Sequence, residues 1–457
     1  MGAARAVIMI APAVKRAFEA TSQVPEEPKR PTAIKGGLEV KFHIKFDVGL
    51  EDAAVNNTPP RIRVANHPRK VAAATADGAV AFVDGFDGTV VAKWDDDEDD
   101  PPNVMVFASK WLIHCSDTCV RILDSETGEM AHSHTVMAPA QDGKRARQSS
   151  IDHAIVLDGT RYVAAAGRVV HACKAPEGTL EHSLQITSPV RAMCAAPTSS
   201  SSNSVSEWAY AIACADGIRL ISSAGEIVHE LISKGTVRSL SAYGPWMAAA
   251  AMEGGIELWD LVAPRHVDNG LAHVRMNSSC GSDGSSLGFR CDGGGLAVSG
   301  RRAAVFDFSG ANSPHPYRPK NRPPAEEGQP DTSVPRVCMA DNAQKIAWAP
   351  RSGSRVTEKI ASLRGPELAT VHEEGVLKLW QPHGVPLRKG GQGNPQQPQM
   401  MKPQFYTFVN HDATHPSGEA VKACALMWLQ EDVVAVGYFT GEIVAWRVGG
   451  GGPAEVS

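Results

Sequence analysis

Short apolar runs separated by tight turns recur along most of the chain. The stretch from Trp246 to Asp260, WMAAAAMEGGIELWD, shows one copy: an apolar run, a Glu-Gly-Gly turn and an alternating run that ends in Trp-Asp. Apolar runs of this length on both sides of a glycine turn predict two antiparallel strands of a hairpin. Because variants of this pattern follow one another, they predict a fold built from one repeated unit.

The pattern divides into eight units. The first six units begin near Arg61, Asn103, Ile151, Val190, Val237 and Val274, which lie 37 to 48 residues apart. This is the spacing of four-stranded propeller blades. We therefore predict an all-β fold, a single β-propeller of eight four-stranded antiparallel blades. The alternative is seven blades, if unit six or unit seven is an insertion.

The last unit has only three predicted strands. The segment from Leu38 to Phe46 alternates apolar and polar residues, as a half-buried strand does, and has no hairpin partner nearby. It is predicted to pair with the last unit, which closes the ring and covers an exposed edge. The predicted propeller spans 38–448, with disordered insertions near 133–150, 198–206, 310–335 and 388–404, between flexible tails at 1–37 and 449–457.

The repeats resemble the WD-repeat β-propeller family over most of the chain. The matching features are the Ala-Asp-Gly turns at Asp77 and Asp216, the Trp-Asp pair Trp259 and Asp260, and Trp380 and Trp446 at the same place in other units. The resemblance implies structural roles for Trp259, Asp260, Trp380 and Trp446, with the tryptophans packed between blades. The Gly-His dipeptide that opens such repeats is absent, so the family's buried Asp-His-Ser-Trp network is not implied.

Composition narrows the class of partner. The formal net charge is −5, which gives no overall attraction to nucleic acid. The longest apolar run near the start, Ala6 to Val14, is broken by Pro12 and is shorter than the ~20 residues of a membrane helix. The nine cysteines are odd in number and dispersed, which favours reduced thiols and an intracellular location, cytoplasm or nucleus. The first 20 residues also faintly resemble an organelle presequence.

The sequence contains no recognisable catalytic pattern. It has no nucleophile elbow, phosphate-binding glycine loop or His-Glu-x-x-His helix. The closest cysteine pair is Cys115 and Cys119, and the closest histidine pair is His132 and His134, and neither has further ligands at metal-site spacing. We therefore expect no enzyme activity, no cofactor and no metal.

A basic residue follows the apolar residue that opens several predicted inner strands. These candidate partner-binding residues are Arg63, Arg191, Arg238, Arg275 and Lys422. Corresponding positions of successive blades form a ring, so their side chains could meet at the mouth of the channel and attract phosphorylated or acidic peptides. Alternatively, their long stems pack and their charges are only solvated.

The segment from Lys144 to Ser150, KRARQSS, places Arg145 and Arg147 upstream of two serines. Basophilic kinases prefer this arrangement, so Ser149 and Ser150 are candidate regulatory residues. The same segment also fits a weak nuclear-import patch or a plain solvated loop.

The resemblance implies a non-enzymatic scaffold, a subunit or adaptor of an intracellular complex that binds other proteins. The alternative is a reader of phosphorylated or acidic peptides, of the substrate-receptor type, that uses the basic ring. An enzyme with its active site in the channel is a third option without a catalytic set. We expect no membrane insertion, no nucleic-acid partner and no need for homo-oligomers.

Overall fold

The computed structural model describes residues 38–45, 63–67, 70–74, 78–95, 100–117, 119–136, 150–197, 208–233, 235–244, 246–252, 255–261, 272–277, 286–290, 295–299, 303–307, 336–338, 343–349, 368–372, 374–383, 405–430 and 432–448. The predicted tails at 1–37 and 449–457 lie outside these residues, as do the insertions at 198–206, 310–335 and 388–404. No described helix is long and apolar enough to cross a membrane.

The described residues form eight antiparallel four-stranded sheets, as predicted, and not the alternative seven. The first strand, β1 (Leu38–Lys45), belongs to the last sheet. Sheets 1 to 4 consist, in spatial order, of β2 (Arg63–His67), β3 (Lys70–Ala74), β4 (Val80–Asp84) and β5 (Val90–Trp94); β6 (Val104–Ala108), β7 (Trp111–Cys115), β8 (Cys119–Asp124) and β9 (Met130–Thr135); β10 (Ile151–Val156), β11 (Arg161–Ala166), β12 (Val169–Lys174) and β13 (Thr179–Gln185); and β14 (Ala192–Ala195), β15 (Tyr210–Cys214), β16 (Gly217–Ile221) and β17 (Ile227–Leu231).

The other four sheets repeat the same up-and-down order. Sheets 5 to 8 consist of β18 (Val237–Tyr243), β19 (Trp246–Ala251), β20 (Gly255–Asp260) and β21 (Ala272–Asn277); β22 (Leu287–Phe289), β23 (Gly295–Val298), β24 (Ala304–Asp307) and β25 (Arg336–Cys338); β26 (Ala343–Trp348), β27 (Leu368–His372), β28 (Leu377–His383) and β29 (Phe405–Ala413); and β30 (Ala423–Gln430), β31 (Val433–Tyr438), β32 (Glu442–Val448) and β1. We call the first strand of each sheet, in this order, its inner strand and the fourth its outer strand.

The apolar pattern explains which strands lie in the middle of a sheet. The second strands β11, β15, β19 and β31 are almost continuous runs of Ala, Val and Ile, and nearly all of their residues are buried. A strand covered on both faces needs no polar alternation. The outer strands β9 and β13 instead alternate exposed and partly buried residues. Sheets 2 and 3 therefore bury their second strands and expose much of their outer strands.

Each inner strand contacts the inner strands of the adjacent sheets. The contacts run from β2 through β6, β10, β14, β18, β22 and β26 to β30, and β30 in turn contacts β2. The core between sheet 8 and sheet 1 contains Phe42, Val71, Met427 and Val433. A comparable core between sheets 2 and 3 contains Ile113 and Tyr162. Sheet 8 therefore packs against sheet 1 as the consecutive sheets pack against each other.

The predicted pairing of the early strand with the last unit is confirmed. β1 runs antiparallel to β32, with Leu38 opposite Val448 and Lys45 opposite Glu442. A bulge between Val40 and Phe42 interrupts the register. Residues from the two ends of the described chain thus complete one sheet.

Two predicted boundaries were wrong. β9 extends to Thr135, so no insertion begins at 133. The fourth strands of sheets 6 and 7, β25 and β29, begin directly after the predicted insertions end. The segment around Val274 was predicted to begin unit six, but it lies in β21, the outer strand of sheet 5. Its apolar-basic sequence is the same as that of true inner strands, and local pattern alone does not distinguish the two.

Glycines in the turn between the third and fourth strands bring adjacent sheets close together. Gly88, Gly128, Gly178 and Gly225 all have positive φ. An added Cβ would meet Phe42 of β1 at Gly88, the Lys93 carbonyl at Gly128, His132 at Gly178 and His182 at Gly225. Each of these contacts lies on the outer strand of the neighbouring sheet. The turn of sheet 1 packs on β1 just as the turns of sheets 2 to 4 pack on β5, β9 and β13.

We expect Gly128→Ala to destabilise the protein more than Gly418→Ala. The two glycines have similar φ angles, +78° and +75°, but a Cβ at Gly128 would collide with the Lys93 carbonyl oxygen, whereas nothing lies within 4 Å of one at Gly418. Gly418→Ala should cost only the left-handed strain, about 1–2 kcal/mol. The collision should add about 1–3 kcal/mol at Gly128. Urea unfolding of both variants measures the difference, and equal losses would contradict the close approach of sheets 1 and 2.

Candidate functional site

The basic candidates of the inner strands lie in four different sheets. Arg191 directly precedes β14, Arg238 is the second residue of β18, and Lys422 directly precedes β30; all three are exposed. Arg63 opens β2, and its side chain lies outside the described part of the structure. The inner strands at Arg191 and Arg238, β14 and β18, contact each other, and so do those at Arg63 and Lys422, β2 and β30.

The register does not give these residues one equivalent position. Arg238 occupies a bulge, because Val237 pairs with Ala251 and Ser239 pairs with Ala250. The same bulge position holds Asp152 in sheet 3, Gln344 in sheet 7 and Cys424 in sheet 8. Lys422 therefore lies two residues ahead of the position of Arg238, and an exposed acid takes that position in sheet 3.

The prediction for Arg275 was wrong in its placement. Arg275 lies in β21 opposite Glu257 of β20, on the outer strand of sheet 5, and not on the inner strand of sheet 6. Arg275 therefore does not occupy the inner-strand position that the ring hypothesis requires. The hypothesis of a peptide reader stays a prediction that rests on Arg63, Arg191, Arg238 and Lys422.

Of the two candidate regulatory serines, Ser149 lies outside the described residues. The hydroxyl of Ser150 donates to the carboxylate oxygens of Asp117 at 2.9 Å and Asp152 at 2.8 Å, and the Asn103 amide lies 2.8 Å from it. Asp117 belongs to the turn between β7 and β8. Ser150 therefore joins sheet 2 to the start of sheet 3, and a phosphate at Ser150 would face two carboxylates.

The tryptophans that carried the family resemblance are buried. Trp259, Trp380 and Trp446 each belong to an apolar core cluster. The indole Nε1 of Trp380 donates to the Thr370 hydroxyl at 2.8 Å, and that oxygen lies 3.2 Å from Nε2 of His372. Asp260 pairs through its backbone with Trp246 and Ala272, and its side chain is not described. Sheet 7 thus contains a Trp-Thr-His network made from its own two middle strands.

A buried polar group lies between sheets 1 and 2. The His114 ring packs against the Trp94 ring with 5.4 Å between centroids, and the buried Arg121 guanidinium lies 5.8 Å from the same indole. Arg121 Nη1 donates to Asp100 Oδ2 at 2.9 Å. Burial, with the nearby Arg121 charge, lowers the pKa of His114 to about 4. The last carboxylate of the acidic run 95–100 thus binds this buried cation.

His114 should make the stability depend on pH. Its pKa is about 4 in the folded chain against the ordinary 6.5, so between these values the unfolded chain binds a proton that the folded chain does not. The contribution of neutral His114 to the free energy of unfolding is therefore fully present above pH 6.5, and it decreases as the pH falls toward 4. At pH 5 His114 alone should account for about 2 kcal/mol. Urea unfolding at pH 7 and pH 5 should show this loss in the wild type and a smaller loss in His114→Gln; equal losses would contradict it.

The residue pairs that the sequence offered for a metal do not form a site. Cys115 is fully buried, and burial raises the pKa of its thiol far above its usual range. The rings of His132 and His134 lie 5.5 Å apart, and burial lowers the pKa of His134 to about 4. Cys119 lies 2.9 Å from the Ser133 hydroxyl. Among the described residues only a different group, His43, His415 and Glu442, brings three ligand types together.

The outer strands carry exposed apolar side chains at one equivalent position. In sheets 8, 1, 2, 3 and 4 the residue beside the bulge that interrupts pairing with the third strand is a large apolar residue. We call these residues the outer apolar row; they and their exposed fractions are Val40 (48%), Val90 (43%), Met130 (50%), Leu180 (50%) and Ile227 (44%).

The strand pairing shows that the residues of the outer apolar row occupy equivalent positions. Met130 pairs with Leu123 of β8 and Leu180 pairs with Cys173 of β12, each directly beside the bulge. Val40 has the same relation to Trp446 of β32. Single exposed apolar residues are ordinary on a protein surface. Here such a residue recurs at one register position of five sheets.

A sequence signal for the outer apolar row was present and was missed. In sheets 1 to 4 the exposed residue follows the turn glycine by two positions, in the phrases Gly-Thr-Val, Gly-Glu-Met, Gly-Thr-Leu and Gly-Glu-Ile. From sequence alone, these glycine turns indicate only where one strand ends and the next begins. The recurrence of an apolar residue after each turn becomes informative only when the outer strand is known to face outward.

Comparison with protein-family models and with curated proteins finds no match. Two β-propellers are among the similar solved structures. BamB from Moraxella catarrhalis has a TM-score of 0.51 and 11% identity, over 90% of this chain and 97% of that chain. The computationally designed Ika8 protein has a TM-score of 0.50 and 14% identity, over 85% of this chain and 97% of that chain. At these identities the similarity shows a propeller-like fold and nothing further.

Proposed function

We propose that the chain is a non-enzymatic scaffold that binds another protein through the outer apolar row. The single observation that carries this proposal is the recurrence of an exposed apolar residue at one register position in five adjacent sheets. A partner that covers several members removes apolar surface from water at ~25 cal/mol per Å². Because each residue is fixed by a rigid sheet, little conformational freedom is lost on binding.

The charges beside the outer apolar row favour a protein partner. Exposed residues of both signs flank it, including Lys93 on β5 and Glu181 on β13. Glu181 forms an ion pair with Lys174 at 3.0 Å, and Glu230 of β17 forms one with Arg219 at 3.0 Å. A nucleic acid or an anionic membrane would favour a field of one sign. An apolar centre within a mixed polar rim is the usual composition of a protein interface.

The proposal also includes closure of the ring of sheets and the cellular location of the protein. We propose that the eight sheets form a closed ring, which β1 completes, as in WD-repeat proteins. The contact of β30 with β2 and the packing of Gly88 on Phe42 support this closure. We also propose an intracellular location, which the free thiols of the buried Cys115, Cys194 and Cys214 support.

The proposal is tested by changing the outer apolar row without changing the fold. The test variant carries Val90→Thr, Met130→Gln, Leu180→Gln and Ile227→Thr. The matched control carries Ile232→Thr and Met252→Gln, two exposed apolar residues outside the row. Tagged versions are expressed in the source cell and the co-purifying proteins are quantified.

We expect at least one protein to be recovered with the wild type and the control and lost with the row variant. Equal melting temperatures of the three purified proteins show that folding is unchanged. Identical partners for the row variant and the wild type would contradict the proposed surface.

A further inference from the structure

Two imidazoles and one carboxylate converge where β1 joins sheet 8. His43 lies on β1, Glu442 is the first residue of β32, and His415 follows the end of β29 by two residues. Nε2 of His43 is 3.8 Å from Oε1 of Glu442, and Nε2 of His415 is 2.5 Å from Oε2 of the same carboxylate. The ligand atoms of all three residues lie within 4.8 Å of one another.

The geometry fits a first-row divalent cation. Zinc binds imidazole nitrogen at ~2.0–2.1 Å and carboxylate oxygen at ~2.0–2.2 Å, so ligand atoms of a tetrahedral site lie a little over ~3 Å apart. The two histidine rings meet nearly at a right angle, 89°, with 5.8 Å between centroids. Their Nε2 atoms approach different oxygens of one carboxylate. Small side-chain rotations therefore suffice to place three ligands around one ion.

The ligand side chains are held by a second layer of polar contacts. The Thr440 hydroxyl donates to Oε2 of Glu442 at 3.0 Å. The Ser417 hydroxyl lies 2.8 Å from Nδ1 of His415, and the Ser417 backbone N–H donates to the same nitrogen at 3.3 Å. The edge of the Tyr438 ring packs on the His415 ring, with 4.8 Å between centroids. Such contacts fix ligand orientation in metal sites.

Burial also suits a bound ion that is reached from one side. His415 and Glu442 are buried, whereas the His43 side chain is 35% exposed. The site is thus closed on the side of β32 and open to solvent beside β1. Three protein ligands leave a fourth position for water or a partner's side chain on that open side.

We propose that His43, His415 and Glu442 bind one divalent transition-metal ion of the zinc class. The ion links β1 to β32 and to the segment after β29, and it therefore stabilises the sheet that joins the two ends of the described chain. This site goes beyond the scaffold function and does not depend on it. It also differs from the expectation of no metal, because the three ligands are far apart in sequence and have no characteristic spacing.

The test is titration of the purified, metal-free full chain with Zn²⁺ and with Co²⁺. The wild type should bind one equivalent more than His43→Gln, and Co²⁺ should give a visible absorption band that His43→Gln lacks. Zn²⁺ should raise Tm of the wild type and not of this variant. His43 is the most exposed ligand, so its replacement should preserve the fold. His132→Gln is the matched control and should retain both the extra equivalent and the band.

Two further variants separate metal binding from a simple ion pair. Glu442→Gln should lose the site, and Thr440→Val, which leaves all three ligands in place, should weaken Zn²⁺ binding by about 10–100-fold. If the wild type and His43→Gln bind the same number of ions with the same Tm shift, the cluster is a structural ion pair and the proposal is overturned.

Discussion

Phe42→Ala is expected to lower the free energy of unfolding by about 3–5 kcal/mol. Phe42 is only 8% exposed and packs in the core shared by sheets 8 and 1, with Val71, Met427 and Leu429. The turn at Gly88 lies directly against its ring. Truncation removes apolar contacts on both sides and leaves a cavity. The loss follows from β1 being an integral strand of sheet 8 that also supports sheet 1.

Val40→Ala on the same strand is the matched control. Val40 belongs to the outer apolar row and is 48% exposed, so its truncation should change stability by less than about 0.5 kcal/mol. Urea denaturation followed by tryptophan fluorescence measures both variants. Similar small effects from the two would mean that β1 does not pack against sheet 1.

Asp100→Ala is expected to cost about 3 kcal/mol. The Arg121 side chain is almost fully buried between sheets 1 and 2, and its Nη1 donates to Asp100 Oδ2 at 2.9 Å. Removing the carboxylate takes away a negative charge that the guanidinium binds in a low-dielectric environment.

Asp95→Ala provides the comparison for the acidic run. Asp95 is exposed at the other end of the same run, so its removal should change stability by less than about 0.5 kcal/mol. Thermal unfolding of both variants and of Arg121→Met measures the contrast. Arg121→Met removes both the charge and its need for a partner, so it should be milder than Asp100→Ala. Equal effects of Asp95→Ala and Asp100→Ala would contradict a buried ion pair.

The sequence predicted the strand plan well where apolar runs are continuous. Runs such as those of β11 and β19 are buried on both faces, and burial of this kind leaves an unmistakable pattern. The outer strands were harder, because an edge strand such as β9 is half exposed and mixes histidine, serine and threonine. β25 and β29 follow long insertions, so the spacing rule did not reach them.

The candidate sites were harder to predict than the fold. The basic ring was inferred from a local sequence pattern, which does not define register. Lys422 lies two residues ahead of the bulge position that Arg238 occupies, and Arg275 lies on an outer strand. The outer apolar row, in contrast, is recognised only from strand register, because it is defined by a bulge that recurs in five sheets. The His43, His415 and Glu442 group requires that both ends of the described chain meet in sheet 8.

Site-specific photo-crosslinking tests the central claim most directly, the claim that the outer apolar row is a partner-binding surface. A photoreactive amino acid replaces Met130, Leu180 or, as the control, Ile232, and the full chain is irradiated in the source cell. Positions 130 and 180 lie on adjacent sheets and should crosslink to the same protein, whereas position 232 should not. Absence of a crosslink at 130 and 180, or the same crosslinked protein at 232, would contradict the account.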